Sequence, residues 1–241
     1  MLDWFTKLNK VERRTFWACF SGWGLDAMDT QMYALTISTL ISLWGITKGE
    51  AGILGTVVLV MAAVGGWLAG LLADRYGRVK VLQATIIWFS LFTFLSGLTN
   101  SFTELLVTRS LQGLGFGGEW AVGSVLISET INPKVRGRVV GAIQAGWACG
   151  YGLAVLISTL LFTYLPIDHA WRIFFFIGIA PAFLVLWIRR HISEAPVFKA
   201  QQITLEASPS LWAVFAPSYR TTTLKAMLLT FGIYGGNYVM I

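Results

Sequence analysis

Charged residues are scarce in this chain of 241 residues: they make up 12% of it, against about 25% in a soluble domain. Cysteine, proline and histidine are also rare, with two, six and two copies. These shortages exclude a disulfide-linked scaffold, a collagen-like fibre and a disordered chain, and they argue against a soluble enzyme. Cys19 and Cys149 fit no metal-site spacing. We therefore expect no metal, no cofactor and no enzymatic activity.

Hydrophobic residues, by contrast, make up 56% of the chain and form long uninterrupted runs. A helix that crosses a bilayer needs about 20 apolar residues, whereas the strands of a transmembrane barrel alternate apolar and polar residues. Six complete apolar segments cover residues 16–44, 51–72, 81–98, 105–128, 139–165 and 171–188. A seventh begins near Ala226 and continues to Ile241. The predicted fold class is an all-α, polytopic transmembrane helical bundle.

We divide the chain into four regions on this pattern. Residues 1–15 are an N-terminal segment whose apolar stripe, Trp4, Phe5, Leu8 and Val11, suits a short amphipathic helix on the cytoplasmic leaflet. The six-helix transmembrane bundle covers 16–188, a polar central loop covers 189–222, and an incomplete seventh helix covers 223–241. Within the loop, the Ser-Pro pair at 208–209 predicts a short surface helix over 211–215.

The basic residues predict how the bundle is oriented. Fifteen Lys and Arg residues fall on the side of the N-terminus, in residues 7–14, the loops 75–80 and 134–138, and residues 189–225. The opposite side holds two, Lys48 and Arg172. By the positive-inside rule the N-terminus is cytoplasmic, and the protein lies in the plasma or inner membrane. The net charge of +6 is thus a topology signal and does not indicate a nucleic-acid partner.

Four ionisable residues fall inside the predicted spans: Asp26 and Asp29 in the first, and Arg109 and Glu119 in the fourth. A charge at the bilayer centre costs about 2.5–3.5 kcal/mol, so such residues usually mark ion or substrate pathways, although they can also serve only to hold helices together. We predict that Asp29 is the proton-coupling carboxylate and that Arg109 is its partner. Asp26 and Glu119 are the alternative proton carriers.

Polar residues at helical spacing suggest where a substrate could bind. Arg109 and Gln112 share a face of the fourth segment, and Arg109 is the natural group to meet an organic anion. Gln144, Trp147 and Tyr151 share a stripe of the fifth segment. For that second stripe, substrate contact and ordinary core packing are equally open.

Four motifs in register with the six segments carry a family resemblance. Residues 70–80, GLLADRYGRVK, closely resemble the signature G-x-L-A-D-R-x-G-R-[RK] of the major facilitator superfamily, apart from Val79 at its last position. The run from Arg109 to Gly115 resembles the family's fourth-span motif R-x-x-Q-G-x-G. The loop 136–138 resembles the repeat of the first signature, and residues 193–196 are similar to the S/P-E-x-P segment after span six.

Two further motifs resemble particular groups within that family. The residues from Gly24 to Asp29 resemble the D-[GA]-x-D motif of aromatic-acid:H⁺ and sialate:H⁺ symporters, and the residues 117–120 look most like the sialate/metabolite:H⁺ group. The family's antiporter motif is not matched in the fifth segment, which favours symport. The resemblance thus implies proton-coupled symport of a small carboxylate. The alternatives are a sugar or drug carrier of the same family, or a truncated membrane protein that transports nothing.

The resemblance also implies a fold of two six-helix bundles with the substrate between them, of which this chain supplies the first. Its partners would be the lipid bilayer, protons, a carboxylate substrate and a missing C-terminal six-helix half. The family's signature loop gates the cytoplasmic side, and the matching residues here are Gly70, Asp74, Arg75, Gly77 and Arg78. The Asp74 side chain can accept hydrogen bonds from a helix N-terminus and pair with Arg78.

Overall fold

Helices form every regular element in the residues that the structure, a computed structural model, describes: 3–192, 194 and 216–239. The chain divides into two compact units, residues 1–203 and 204–241. The helices of the first unit are α1 (Asp3–Thr6), α2 (Lys10–Trp44), α3 (Lys48–Tyr76), α4 (Arg78–Ser96), α5 (Phe102–Thr130), α6 (Arg136–Tyr164), α7 (Ile167–Ile177) and α8 (Ala180–His191). In the second unit, α9 covers Pro217–Val239. This architecture confirms the all-α prediction.

The first five apolar segments are confirmed as helices α2 to α6, and polar caps explain where the first two of these begin. At the start of α2, the Asn9 side chain accepts hydrogen bonds from the first-turn amides while Glu12 accepts one from the Asn9 amide. Thr47 and Glu50 make the same reciprocal pair at the start of α3. Such capping boxes satisfy amides that have no partner inside the helix.

The sixth apolar segment differs from its prediction as one continuous helix. It is divided into α7 and α8, and the chain turns at Gly178 and Ile179 between them. Pro181 lies in the first turn of α8. Because proline has no amide hydrogen and fixes its own φ angle, it favours the start of a new helix over the continuation of an old one.

The N-terminal segment also differs from its prediction as an amphipathic helix with one apolar stripe. Its helix, α1, is four residues long. Trp4 and Leu8 are buried in a cluster with Phe16 and Ile127, whereas Val11 is 48% exposed. Trp4 and Leu8 therefore pack on the end of the bundle. The apolar stripe does not form one surface that could lie on a membrane.

The predicted surface helix over 211–215 lies outside the described residues, as does most of the central loop. The seventh segment is helical, but α9 begins at Pro217, before the predicted start near Ala226. Proline is well suited to the first helical position, which accounts for the earlier start.

Four helical stretches in the described residues are long and apolar enough by composition to cross a membrane: α3, α4, α6, and α7 together with α8. Helices α2 and α5 are of similar or greater length, but they carry the four ionisable residues that the sequence places inside spans. Their polar side chains face other helices, as the site below shows.

Glycines set how closely the helices approach. A Cβ atom at Gly65 or Gly117 would overlap the backbone of the facing helix in the α3–α5 contact, and one at Gly150 would do so in the α2–α6 contact. These positions therefore accept only glycine at the observed separation. At Gly70 an added Cβ would meet no described atom within 4 Å, so that glycine does not serve a close approach.

Candidate functional site

Asp29 lies at the centre of a closed polar cluster inside the bundle. Its side chain accepts hydrogen bonds from the Thr93 hydroxyl at 2.5 Å and from the Gln112 amide at 2.6 Å. The Arg109 guanidinium lies 3.4 Å from the same carboxylate. The contact predicted between Asp29 and Arg109 is therefore present, and Asp29, which is 1% exposed, has both a counter-ion and neutral donors.

Arg109 is held in place by more than its ion pair. Its guanidinium carbon lies 5.7 Å from the ring centres of Tyr33 and Phe175, which are contributed by α2 and α7. The side chain is 3% exposed and that of Gln112 is 1% exposed. Both predicted substrate-binding residues of α5 thus point into the bundle and bind Asp29 in this conformation.

Asp26 lies one helical turn from Asp29, in very different surroundings. It is 0% exposed, and no donor among the described residues reaches either of its carboxyl oxygens. The group that faces it is the carboxyl of Glu119 on α5, within hydrogen-bonding distance and 4% exposed. The sequence identified both acids as candidates but did not predict that they meet. The antiparallel register of α2 and α5 was the signal that could have paired them.

A cavity of about 140 Å³ opens beside Glu119, between α2, α5 and α6. Its lining comprises Cys19, Trp23, Glu119, Trp120, Gly123, Ser124, Ile127, Val140, Ile143 and Gln144. Three tryptophans gather at this level: the ring centre of Trp23 lies 5.0 Å from that of Trp147 and 5.9 Å from that of Trp120. The cavity therefore combines aromatic faces, one acid and one amide.

The structure divides the predicted substrate-binding residues into two groups. Gln144 lines the cavity, Trp147 belongs to the tryptophan group beside it, and Tyr151 is 47% exposed one turn further along α6. Arg109 and Gln112 do not line it. Trp23 was not predicted, because an aromatic residue in an apolar helix has no sequence feature that distinguishes a cavity wall from core.

The signature loop forms a second polar network at the end of the bundle where α3 meets α4. Arg78 lies 2.9 Å from Asp74, which confirms the predicted pair. It also binds both carboxyl oxygens of Glu129, at 3.1 and 3.2 Å, a partner that the sequence did not predict. Such a two-point contact fixes the planar guanidinium strongly.

At the N-terminus of α4, the acid that accepts hydrogen bonds from the backbone amides is Glu194. The sequence had suggested that Asp74 could accept such bonds. The Glu194 carboxyl accepts from the Val79 amide at 3.0 Å and from the Lys80 amide at 3.3 Å. The N-cap of α4 is Gly77, which has φ of 109° and no side chain with which to cap the helix. A Cβ at Gly77 would collide with Glu194, so glycine both makes the turn and admits the carboxylate.

Within the described residues, no three His, Cys, Asp or Glu side chains gather as a metal site would require. The remaining predicted loop residue, Arg75, stacks over the ring of Tyr76, with 5.4 Å between its guanidinium carbon and the ring centre.

Comparison with known proteins agrees with this architecture. Residues 19–241 match the family model described as Major Facilitator Superfamily. The chain belongs to that superfamily. The family resemblance of the four sequence motifs is thereby confirmed, and the relatives below are named as transporters and not as enzymes.

Two curated relatives illustrate the range of similarity. A probable 4-methylmuconolactone transporter of Cupriavidus pinatubonensis is 45% identical over 241 residues, which is 100% of this chain and 56% of the relative. The cis,cis-muconate transport protein of Acinetobacter baylyi is 30% identical over 201 residues, 83% of this chain and 45% of the relative. The chain thus spans about half the length of the curated relatives it matches.

A solved structure shares the helix arrangement. The xylose transporter XylE of E. coli, in a partially occluded inward-open conformation, superposes with a TM-score of 0.71 at 17% identity, over 96% of this chain and 60% of that one. At this identity the likeness shows the fold alone, and the matched portion corresponds to an N-terminal half.

Proposed function

We propose that the chain forms the N-terminal six-helix half of a secondary active transporter that carries a small organic acid together with protons. The observation that carries this proposal is the cavity between α2, α5 and α6, which opens beside the buried acid Glu119. Ionisable groups inside a membrane bundle are costly and usually serve an ion or substrate pathway. The names of the two relatives, which refer to a muconolactone and to muconate, support an organic acid as the substrate class.

The proposal includes a second six-helix half, because carriers of this fold bind substrate between two bundles. We divide the chain as the sequence suggests, into an N-terminal segment 1–15, a bundle 16–188, a central loop 189–222 and a seventh span 223–241. The excess of basic residues in the loops on one side supports a cytoplasmic N-terminus and a location in the cell membrane. The other partners are the lipid bilayer, protons and the carboxylate.

Residue roles follow from where the side chains lie. Gln144, Trp147 and Tyr151 are proposed to contact substrate, since they lie at or next to the cavity. Arg109 and Gln112 would join them only in a conformation that frees them from Asp29. The proton-coupling candidates are Asp26, Asp29 and Glu119.

The signature loop is proposed to gate the cytoplasmic side. Asp74 and Arg78 form its ion pair, and Gly77 makes its turn. Gly70 and Arg75 complete the motif.

Transport by a complete carrier that contains these residues tests the function. In proteoliposomes with an inwardly directed proton gradient, we expect cis,cis-muconate to accumulate and a protonophore to abolish the accumulation. Residues 1–241 alone should not accumulate it, because alternating access requires one bundle to move against another. Xylose is the matched control for a sugar carrier. Accumulation of xylose but not of muconate would show that the substrate class is wrong.

A further inference from the structure

Asp26 and Glu119 face each other across α2 and α5 without a cation. The ion pairs of the described residues involve Asp29, Asp74 and Glu129 and leave out both of these acids. Asp26 is fully buried, and its two oxygens have no donor in the described part of the chain. The nearest side chain able to complete a hydrogen bond is the carboxyl of Glu119 itself.

Two ionised carboxylates in this position would repel each other, and Asp26 would have no donor among the described residues. An ionised carboxylate buried without a partner is one of the most expensive groups in a protein interior, and it is normally neutralised. A protonated carboxyl, in contrast, has one O–H donor that the second carboxyl can accept. One shared proton therefore gives Asp26 a hydrogen-bond partner and removes the repulsion, whereas two ionised carboxylates leave Asp26 without a donor among the described residues.

The packing around the pair favours this contact. A Cβ atom at Gly22 would collide with Glu119, so the glycine leaves the space in which the Glu119 carboxyl approaches α2. The other ionisable groups nearby are Cys19 and Asp29 on α2. Helix α6, which packs against α2, faces the cavity with Gln144 and carries Trp147 against Trp23, and neither is charged.

Only one member of the pair is in contact with the cavity. Glu119 lines the cavity, whereas Asp26 lies behind it and does not. A proton that enters the cavity reaches Glu119 first and Asp26 through it.

We propose that Asp26 and Glu119 share one proton and form the proton-binding site of this half, while Asp29 remains ionised against Arg109. Binding takes one proton from water in the cavity, and release returns it there. This inference rests on the proposed function for its role in transport, but the shared proton is a property of the chain that can be measured without transport.

Infrared spectroscopy of the protein in lipid tests the shared proton directly. A protonated carboxyl has a carbonyl stretching band that ionised carboxylates lack and that shifts in heavy water. We expect this band at neutral pH in the wild type. It should be lost in Asp26→Asn and in Glu119→Gln, because the new amide group donates a hydrogen bond to the remaining carboxylate and allows it to ionise.

Asp29→Asn is the matched control, since it has the same change on the same helix and should leave the band in place. Absence of the band in the wild type would overturn the proposal, as would its loss in Asp29→Asn with retention in the other two variants. A band that survives in all three would place the proton elsewhere and would also refute it.

The infrared spectrum tests the shared proton, and the transport measurement tests the proposed function, so either claim can be refuted without the other. If the band behaves as expected but the complete carrier shows no proton-driven uptake, the proposed function is wrong and the shared proton remains. If uptake is proton-driven and Asp26→Asn accumulates substrate as the wild type does, the pair is not the coupling site. A loss of accumulation with exchange of substrate intact in both pair variants would support it.

Discussion

Asp26 and Asp29 lie three residues apart on one helix, both are buried, and their surroundings are opposite. Asp29 is bound by an arginine, an amide and a hydroxyl, whereas Asp26 faces a second carboxyl and receives no donor from the described residues. Helix α2 presents the two aspartates to different levels of α5. Asp29 lies near Arg109, and Asp26 lies near Glu119. In the proposed arrangement the same residue type is a fixed charge at one position and shares a proton at the other, because the neighbouring helices supply donors to Asp29 and, within the described residues, not to Asp26.

Replacement of Arg109, the cation that binds Asp29, should abolish the difference between the two aspartates. It should also have the largest effect on stability. In Arg109→Met, Asp29 would become a second buried carboxylate without a counter-ion. Loss of one partner from a buried ion pair typically lowers the free energy of unfolding by about 3–5 kcal/mol. Denaturation of the purified protein in mixed micelles measures this loss.

The double variant Asp29→Asn with Arg109→Met is the control for that experiment, because it removes both charges together. It should be more stable than Arg109→Met alone, since no unpaired charge remains inside the bundle. Equal stability of the two variants would mean that the ion pair is not what Arg109 contributes.

A smaller effect should separate the two aspartates themselves. Asp29→Asn leaves Arg109 without its counter-ion, but the new amide oxygen can still accept from Arg109, whose contacts with two aromatic rings remain. We therefore expect a smaller loss of about 1–3 kcal/mol. Asp26→Asn should be neutral or stabilising, since the new amide can donate to Glu119. The same denaturation experiment compares them, and a larger loss in Asp26→Asn than in Asp29→Asn would contradict the contrast.

Glu50 sharpens the comparison as an acid that has donors but lies in water at the start of α3. Hydrogen bonds from the backbone amide and the hydroxyl of Thr47 hold the pKa of Glu50 below its usual value. A lowered pKa in the folded state contributes stability above the pKa of the unfolded chain, and this contribution is lost as the pH falls through the lowered value. The contribution of Glu50 to stability should be the smallest of those compared, because its carboxyl group is exposed to solvent.

Glu50→Gln should therefore be slightly less stable than the wild type at neutral pH and equal to it in acid. Melting temperatures across a pH series measure the difference. Thr47→Ser keeps both donors and should keep the pH dependence. A difference that grows as the pH falls would show that the sign is wrong.

Much of the bundle could be predicted from the sequence, because the signals are local. The capping residues Asn9 and Thr47, the apolar runs and the signature of residues 70–80 each depend on neighbours within a few positions. The contact between Asp29 and Arg109 was predictable as well, since a buried acid and a buried base in an apolar bundle have few other partners.

The remaining features depend on distances along the chain that no local pattern records. Glu119 follows Asp26 by 93 positions in the sequence, and the two meet through a register that the helix lengths and loops fix together. The contact of Glu129 with Arg78 and the contact of Glu194 with the start of α4 also join residues that are far apart in the sequence. The break between α7 and α8 was missed for another reason: the apolar run continues through Gly178 and Ile179 although the helix does not.

The cap that Glu194 provides for α4 has a consequence for the order in which the protein is made. The Val79 and Lys80 amides are synthesised 115 and 114 residues before the carboxylate that binds them. These amides of α4 therefore lack this acceptor until the chain beyond α8 has been made, because Glu194 lies three residues after the end of α8. The start of α4 can reach its final geometry only once every helix described in the first unit has been synthesised.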